Sequence, residues 1–166
     1  MPVLQLELSD MGATRRLGAL LAEGLGAGDV ISLSGALGAG KSELARAVIQ
    51  AANPDETDIP SPTFTLVQTY MLGDGTPLWH LDLYRIESPE EVMALGLDDA
   101  FVDAACLIEW PDRLKNLLPK TNLSIHLYRP DDADTSSDDD SGRRIADITA
   151  PPHWADRLNA IIAKTV

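Results

Sequence analysis

The stretch that decides the fold is the run Gly35-Ala36-Leu37-Gly38-Ala39-Gly40-Lys41-Ser42. It matches the phosphate-binding pattern G-x-x-x-x-G-K-[ST] at every fixed position. The apolar residues 29–34 before it predict a strand, and residues 41–52 after it predict a helix that ends before Pro54. In this setting, backbone N–H groups of the loop and the positive end of the helix together bind phosphate oxygens.

The pattern assigns a chemical role to each of its positions. Its glycines allow a tight backbone path that a Cβ atom would obstruct. Lys41 is expected to reach the β- and γ-phosphates, which makes it a candidate catalytic residue, and the hydroxyl of Ser42 is expected to bind Mg²⁺. The loop therefore predicts a nucleotide-binding set comprising Gly35, Gly38, Ala39, Gly40, Lys41 and Ser42.

Size and composition predict one domain, residues 1–166, with a sizeable core, because the chain has 166 residues of which 45% are hydrophobic. We find no apolar run near the roughly 20 residues of a membrane span. The N-terminus resembles a strand and not a signal peptide. The single cysteine, Cys106, fits a reducing compartment, so we expect a cytoplasmic protein without membrane contact.

The net charge of −13 argues against broad direct binding to nucleic acid, which needs basic side chains to replace counterions. Six aspartates lie between Asp131 and Asp140, inside a polar segment at about 130–143. We expect this segment to be a mobile loop between two strands. It is either a solvated insertion or a docking segment for a basic partner.

The remaining pattern predicts an α/β fold, a P-loop NTPase-like domain with a mixed parallel and antiparallel sheet flanked by helices. Residues 63–71 and 77–85 read as two strands of an antiparallel hairpin, joined by a glycine-containing turn. Buried or alternating strands are expected at 104–110, 123–129 and 144–149. Helices are expected after a cap at Ser9 or Asp10 and after Pro152.

Two strand segments carry candidate site residues. Alternation along residues 79–85 places His80, Asp82 and Tyr84 on one face, where Asp82 could position a water molecule beside a γ-phosphate. An ordinary half-exposed edge strand would give the same alternation. The apolar strand that ends at Glu109 has the form of a second magnesium motif, and Trp110 could line the pocket or pack in the core.

A third segment, residues 61–67, follows two prolines and places Thr63 and Thr65 on one strand face. It lies between the glycine loop and Glu109, where many nucleotide switches sense the γ-phosphate. An ordinary β-strand with a proline-rich start is the alternative.

Taken together and in this order, four motifs resemble the TsaE (YjeE) family, the ATPase component of the bacterial machinery for threonylcarbamoyladenosine in tRNA. The resemblance runs from about Ser9 to Arg113. The motifs are Gly35-x-x-Gly38-x-Gly40-Lys41-Ser42, Ser61-Pro62-Thr63-Phe64-Thr65-Leu66-Val67, His80-x-Asp82-x-Tyr84-Arg85 and Ile108-Glu109-Trp110.

The resemblance implies that ATP is bound with Mg²⁺ and hydrolysed slowly by the protein alone. It implies TsaD and TsaB as partners, with TsaD transferring the threonylcarbamoyl group and tRNA reached through the partners. It also implies Mg²⁺ ligands at Ser42 and Glu109 and a catalytic carboxylate at Asp82. The other implied nucleotide contacts are Thr63 and Thr65 in the switch-like segment, Trp110, and Met11 and Arg144 near adenosine.

Other functions remain open at this point. A GTPase would carry the guanine-reading sequence N-K-x-D, which the chain lacks. A small-molecule kinase would usually carry an arginine-rich lid, whereas the nine arginines here show no such cluster. A non-hydrolytic, ATP-dependent switch or scaffold, in which ATP orders residues 61–67 for a partner, is the main alternative.

Overall fold

Seven strands form one sheet in this computed structural model, which describes residues 3–56, 58–62, 65–130 and 142–165. The strands are β1 (Val3–Leu8), β2 (Val30–Ser34), β3 (Val67–Met71), β4 (Pro77–Asp82), β5 (Ala105–Glu109), β6 (Leu123–Tyr128) and β7 (Arg144–Thr149). The helices are α1 (Met11–Ala22), α2 (Lys41–Ala52), α3 (Glu90–Met93), α4 (Leu97–Asp103) and α5 (Ala155–Thr165). Short 3₁₀ helices cover Pro111–Leu117 and Pro152–Trp154.

The order of the strands across the sheet is β1-β7-β6-β2-β5-β4-β3. The four central strands, β6, β2, β5 and β4, run parallel. Strands β3 and β7 are antiparallel to their inner neighbours, and β1 is antiparallel to β7. The predicted α/β domain with a mixed sheet is thereby confirmed.

Helices cover both faces of the sheet because its central strands are apolar on both sides. Ile31 and Leu107 belong to one buried cluster with the apolar faces of α1, α2 and α5. Val30 and Ile108 point to the other face and belong to a second cluster with α3 and α4. Each fully buried aliphatic side chain of this kind stabilises the fold by roughly 1.5–3 kcal/mol.

Two predicted strand ends differ from the structure. Strand β3 begins at Val67 and not at residue 63, because Leu66 has a φ of 69° and its N–H bonds to the carbonyl of Pro62 over 2.7 Å. Strand β4 ends at Asp82, whose side chain accepts from the N–H of Tyr84 over 3.0 Å and turns the chain. Tyr84 therefore leaves the alternation of the strand.

The predicted acidic loop connects two neighbouring antiparallel strands, β6 and β7. Its residues 131–141 lie outside the described residues, as does Thr63. Within the part of the chain that the structure describes, no helix has both the length and the apolar composition for crossing a membrane.

Candidate functional site

The candidate site lies where the carboxyl ends of three parallel strands meet. Glu109 is the last residue of β5, and it pairs in register with Leu33 of β2 on one side and Asp82 of β4 on the other. The glycine loop leaves β2 at the same edge. This is the edge at which open α/β sheets bind ligands, because loops and helix N-termini converge there.

The glycine loop follows a backbone path that most residues cannot adopt. Gly35, Gly38 and Gly40 have φ values of 143°, 81° and 104°. A Cβ atom on Gly35 would collide with the backbone oxygen of Leu127 in β6. Gly40 is the residue before the first turn of α2, so the N-terminus of that helix faces the site.

Arg144 donates hydrogen bonds to two carbonyl groups of this loop. Its guanidinium donates through Nε to the carbonyl of Ala39 over 3.0 Å and through Nη2 to the carbonyl of Gly38 over 3.2 Å. The side chain is buried, at 7% exposure, and it lines the cavity described below. With its carbonyls bonded in this way, the loop is supported from β7.

Lys41 is buried beneath the loop, at 5% exposure. Its ammonium donates to the carbonyls of Gly35 and Ala36, over 2.6 and 2.9 Å, and lies 4.4 Å from the ring centre of Trp110. Burial lowers the pKa of the Lys41 amine, an effect that the nearby Glu109 and Asp82 carboxylates partly offset. A polyanion would favour the charged amine further.

A chain of hydrogen bonds runs from Ser42 through Glu109 to His80. The Ser42 hydroxyl donates to Oε1 of Glu109 over 2.8 Å, and Oε2 of Glu109 lies 2.7 Å from Nε2 of His80. Glu109 and His80 are buried, at 2% and 0% exposure. Ser42 and Glu109 thus bring a hydroxyl and a carboxylate oxygen together at the start of α2.

Asp82 connects the site to the segment before β3. Its side chain is 7% exposed and lines the cavity, while its backbone N–H donates to the carbonyl of Leu66 over 3.1 Å. Leu66 is therefore joined directly to the candidate catalytic residue. Thr65 itself is exposed, accepts from the Gln68 side chain over 2.8 Å and does not line the cavity.

Two aromatic rings form one wall. Trp110, at a φ of 59°, lies 4.9 Å from Tyr84 between ring centres. The guanidinium of Arg113 lies 6.0 Å from the centre of the Tyr84 ring. The wall therefore consists of Trp110 and Tyr84 with a cation on either side, Lys41 and Arg113.

The cavity between these groups has a volume of about 570 Å³. Its lining includes nine of the residues predicted from the sequence, which are Met11, Gly38, Gly40, Lys41, Ser42, Asp82, Glu109, Trp110 and Arg144. Gly35 and Ala39 lie behind the lining and contact Lys41 and Arg144 through their carbonyls. The lining also includes Tyr84 and Arg85 of the motif at residues 80–85, and the lining residues that the sequence did not indicate are Glu43, Arg46 and Arg129, with Leu37 from the loop itself.

The charge of this cavity is opposite to that of the chain. Five basic side chains line it against three acidic ones, although the net charge of the protein is −13. Arg129 directly follows β6 and lies at the same sheet edge as Asp82 and Glu109. Because the carboxyl ends of parallel strands meet at one edge, its position in the sequence is a signal for this site. The arrangement suits a ligand with several negative charges.

The oxygens of Ser42 and Glu109 suit Mg²⁺, a hard cation that usually takes one or two protein ligands together with water and phosphate oxygens. Among the described residues there is no group of three or more His, Cys, Asp or Glu side chains that could hold a metal ion. A magnesium ion at this edge would accordingly need ligands from a bound phosphate and water as well.

Comparison with known proteins gives a family match. The model of the family "Threonylcarbamoyl adenosine biosynthesis protein TsaE" matches residues 8–137. Proteins named tRNA threonylcarbamoyladenosine biosynthesis protein TsaE are similar to the chain. The one from Rickettsia felis is 40% identical over 74% of this chain and 71% of its own length, and the one from Haemophilus influenzae is 38% identical over 63% and 65%.

The fold also has a solved counterpart. A structure described as "Crystal structure of Bacillus subtilus YdiB" superposes with a TM-score of 0.75 at 26% sequence identity. The match covers 99% of this chain and 97% of the other. The similarity therefore extends beyond residue 137, through β7 and α5.

Proposed function

Because this chain belongs to the TsaE family of threonylcarbamoyl adenosine biosynthesis proteins, we propose that it is a Mg²⁺-dependent ATPase in that tRNA-modification pathway. The family's role in making threonylcarbamoyladenosine in tRNA is the premise. What we propose is that the chain binds ATP with Mg²⁺, hydrolyses it and acts together with partner proteins.

The observation that carries the proposal is the position of Lys41. A buried ammonium lies beneath a glycine loop, at the N-terminus of a helix, in a cavity with a majority of basic side chains. Holding a desolvated ammonium there costs free energy, which a bound phosphate chain would offset. The cavity of about 570 Å³ lies within the range of nucleotide-sized pockets.

In this proposal, the loop N–H groups, Lys41 and the start of α2 bind the phosphates. Ser42 and Glu109 hold the magnesium ion, which supplies charge neutralisation on the phosphate oxygens when bound. Asp82, at the cavity wall, orients the attacking water. Trp110 and Tyr84 offer an aromatic surface of two tilted rings beside the nucleotide, and we place the adenosine near Met11 and Arg144.

We further propose that TsaD and TsaB act together with this chain, in the cytoplasm. Hydrolysis that is slow in the chain alone would be completed by a partner, with Arg85 and Arg129 as cis groups at the cavity. The net charge of −13 favours contact with tRNA through the partners. The single buried Cys106 fits a reducing compartment.

One contact favours a second candidate function, a nucleotide-dependent switch. The N–H of Asp82 bonds to the carbonyl of Leu66, so a nucleotide that displaces Asp82 would also move the segment before β3. In that case binding of ATP would order a docking segment for a partner, and hydrolysis would only reset it.

Steady-state phosphate release with ATP and Mg²⁺, in the presence and absence of purified TsaB and TsaD, tests the main proposal. We expect slow turnover that the partners stimulate and that Lys41→Ala abolishes. Turnover that is equally fast without the partners would refute their role in catalysis. ATP binding without hydrolysis in either condition would favour the switch.

A further inference from the structure

Among the described residues, His80 has a buried imidazole at the site to which the mechanism proposed above gives no role. His80 lies on β4, two residues before Asp82, and is 0% exposed. Its Nε2 atom is 2.7 Å from Oε2 of Glu109, whereas its Nδ1 atom is buried and finds no hydrogen-bond partner among the described residues. A histidine buried only for packing would more simply be an apolar residue, because each buried polar atom without a partner costs free energy.

The contact fixes which ring nitrogen carries the proton. A carboxylate oxygen only accepts hydrogen bonds, so at 2.7 Å the Nε2 atom of His80 must donate to Glu109. The other ring nitrogen, Nδ1, is buried and has no partner in the part of the chain that the structure describes. The ring is thus oriented toward one acceptor.

Glu109 is held at both oxygens as a result. Oε1 accepts from Ser42 and Oε2 accepts from His80. Since Ser42 is itself a proposed magnesium ligand, its hydroxyl cannot be relied on to orient the carboxylate once the ion is bound. His80, on the opposite side and away from solvent, is the group that can keep the carboxylate in place in both states.

We infer that His80 is a positioning residue, which orients the Glu109 carboxylate for the magnesium ion through its Nε2–H. This inference rests on the proposed function, because it assigns His80 to the metal ligand of that same site. Groups that orient metal ligands commonly contribute about 10- to 100-fold to metal affinity or activity.

The test compares two substitutions of similar volume at His80. His80→Gln keeps an N–H donor at about the reach of Nε2, whereas His80→Met fills the space and removes the donor. His126→Met is the matched control, because His126 is exposed on β6 and bonds to Ser34, outside the cavity lining. The folded state of each variant is checked by circular dichroism and thermal melting.

The readout is the metal dependence of nucleotide binding, and no turnover is needed. The dissociation constant of a fluorescent, non-hydrolysable ATP analogue is measured in excess EDTA and in saturating Mg²⁺. The constant in EDTA divided by the constant in Mg²⁺ gives the coupling between metal and nucleotide. We expect His80→Met to lower this ratio by about tenfold or more, and His80→Gln and His126→Met to keep it within about threefold. Binding in EDTA should remain similar in all four proteins.

Each contrary outcome has its own meaning. If the unsubstituted protein does not bind the analogue, the proposed function fails and the inference falls with it. If it binds with strong metal coupling and folded His80→Met keeps that coupling, only the inference fails. Equal losses in His80→Met and His80→Gln would also overturn it, since the donor would then not be the cause.

If neither variant folds, the unsubstituted protein decides the question through nitrogen NMR of its imidazole rings. We expect the His80 ring to carry its proton on Nε2, and the Nε2 signal to shift when Mg²⁺ is added to the nucleotide-bound protein. A proton on Nδ1, or an Nε2 signal that does not respond to Mg²⁺, would overturn the inference.

Discussion

The hydroxyl of Ser42 donates to Oε1 of Glu109 over 2.8 Å, although 67 positions separate the two residues. The bond joins the first turn of α2 to the end of β5, and so ties the loop that would bind phosphate to the carboxylate that would bind the metal ion. Both oxygens are hard ligands of the kind that Mg²⁺ prefers. This pair gives the first prediction.

Replacing Ser42 by threonine should leave the site working, whereas alanine should not. Ser42→Thr keeps the hydroxyl, so we expect Mg²⁺-supported ATP hydrolysis within about threefold of the unsubstituted protein. Ser42→Ala removes a ligand and should lower hydrolysis at least about tenfold, because the metal ion stabilises charge in the transition state. Phosphate release at varied Mg²⁺ measures both, and equal rates in the two variants would contradict the metal role of the hydroxyl.

Gly35→Ala should destabilise the protein where the loop leaves β2. The residue has a φ of 143°, and an added Cβ would collide with the backbone oxygen of Leu127, which cannot move away without disturbing β6. We expect a loss of roughly 2–4 kcal/mol in the free energy of unfolding, measured in urea. Gly73→Ala is the control, since Gly73 is exposed with no atom near its Cβ direction, and it should stay within about 0.5 kcal/mol.

Arg144→Met should remove the hydrogen bonds that support the glycine loop, and so lower the stability of the protein. The substitution removes three hydrogen bonds of a buried guanidinium, to the carbonyls of Gly38, Ala39 and Arg143. Hydrogen bonds to charged groups contribute about 1.5–3 kcal/mol, so we expect a comparable loss of stability and weaker ATP binding. Arg143→Met removes only an exposed ion pair with Glu7 and should cost about 1 kcal/mol or less. Unchanged ATP affinity in Arg144→Met would contradict a role for Arg144 in supporting the loop.

The sequence predicts best those elements that begin and end at local signals such as glycine and proline. Helix α2 has the predicted bounds, because the glycine loop precedes it and Asn53-Pro54 ends it. Asp82 and Glu109 could also be placed together, since parallel strands end at one edge of a sheet and these two residues pair in register.

Other contacts could not be predicted because nothing local encodes them. Arg144 bonds to Ala39 across 105 positions of sequence, and only the order of the strands brings the start of β7 to the loop. Tyr84 was placed on the face of His80 and Asp82 by alternation, but the Asp82 side chain turns the backbone at that point. A side chain that bonds to the main chain two residues later leaves no mark in hydrophobic periodicity.

The buried amine of Lys41 should make stability depend on pH in a defined direction. Burial lowers its pKa below the usual 10.5, so between the lowered value and 10.5 the folded protein binds fewer protons than the unfolded chain. The free energy of unfolding therefore increases with pH in that interval. The contribution of Lys41 to this increase is absent in Lys41→Met. Urea unfolding of both proteins from about pH 8 to about pH 10 should show the difference, unsubstituted minus variant, increasing with pH. A flat or falling difference would contradict the burial effect.

Asp82→Asn separates hydrolysis from binding and from the switch. Asparagine keeps the side-chain oxygen that accepts from the Tyr84 N–H, so the turn after β4 should remain. The variant loses only the negative charge, and we expect ATP to bind at least as tightly because that charge no longer opposes the phosphates. Hydrolysis should fall by about 100-fold or more, the usual contribution of a positioned base.

The same variant, with Asp147→Asn on β7 as control, then decides between the two candidate functions in a reconstituted tRNA-modification assay with TsaB and TsaD. Asp147 lies outside the cavity lining and bonds to Gln5, so its substitution should leave both hydrolysis and modification intact. If hydrolysis drives the cycle, Asp82→Asn should bind ATP yet fail to sustain repeated modification. If it sustains full modification without turnover, ATP acts as a switch, and the Asp82–Leu66 contact becomes the point at which the nucleotide is sensed.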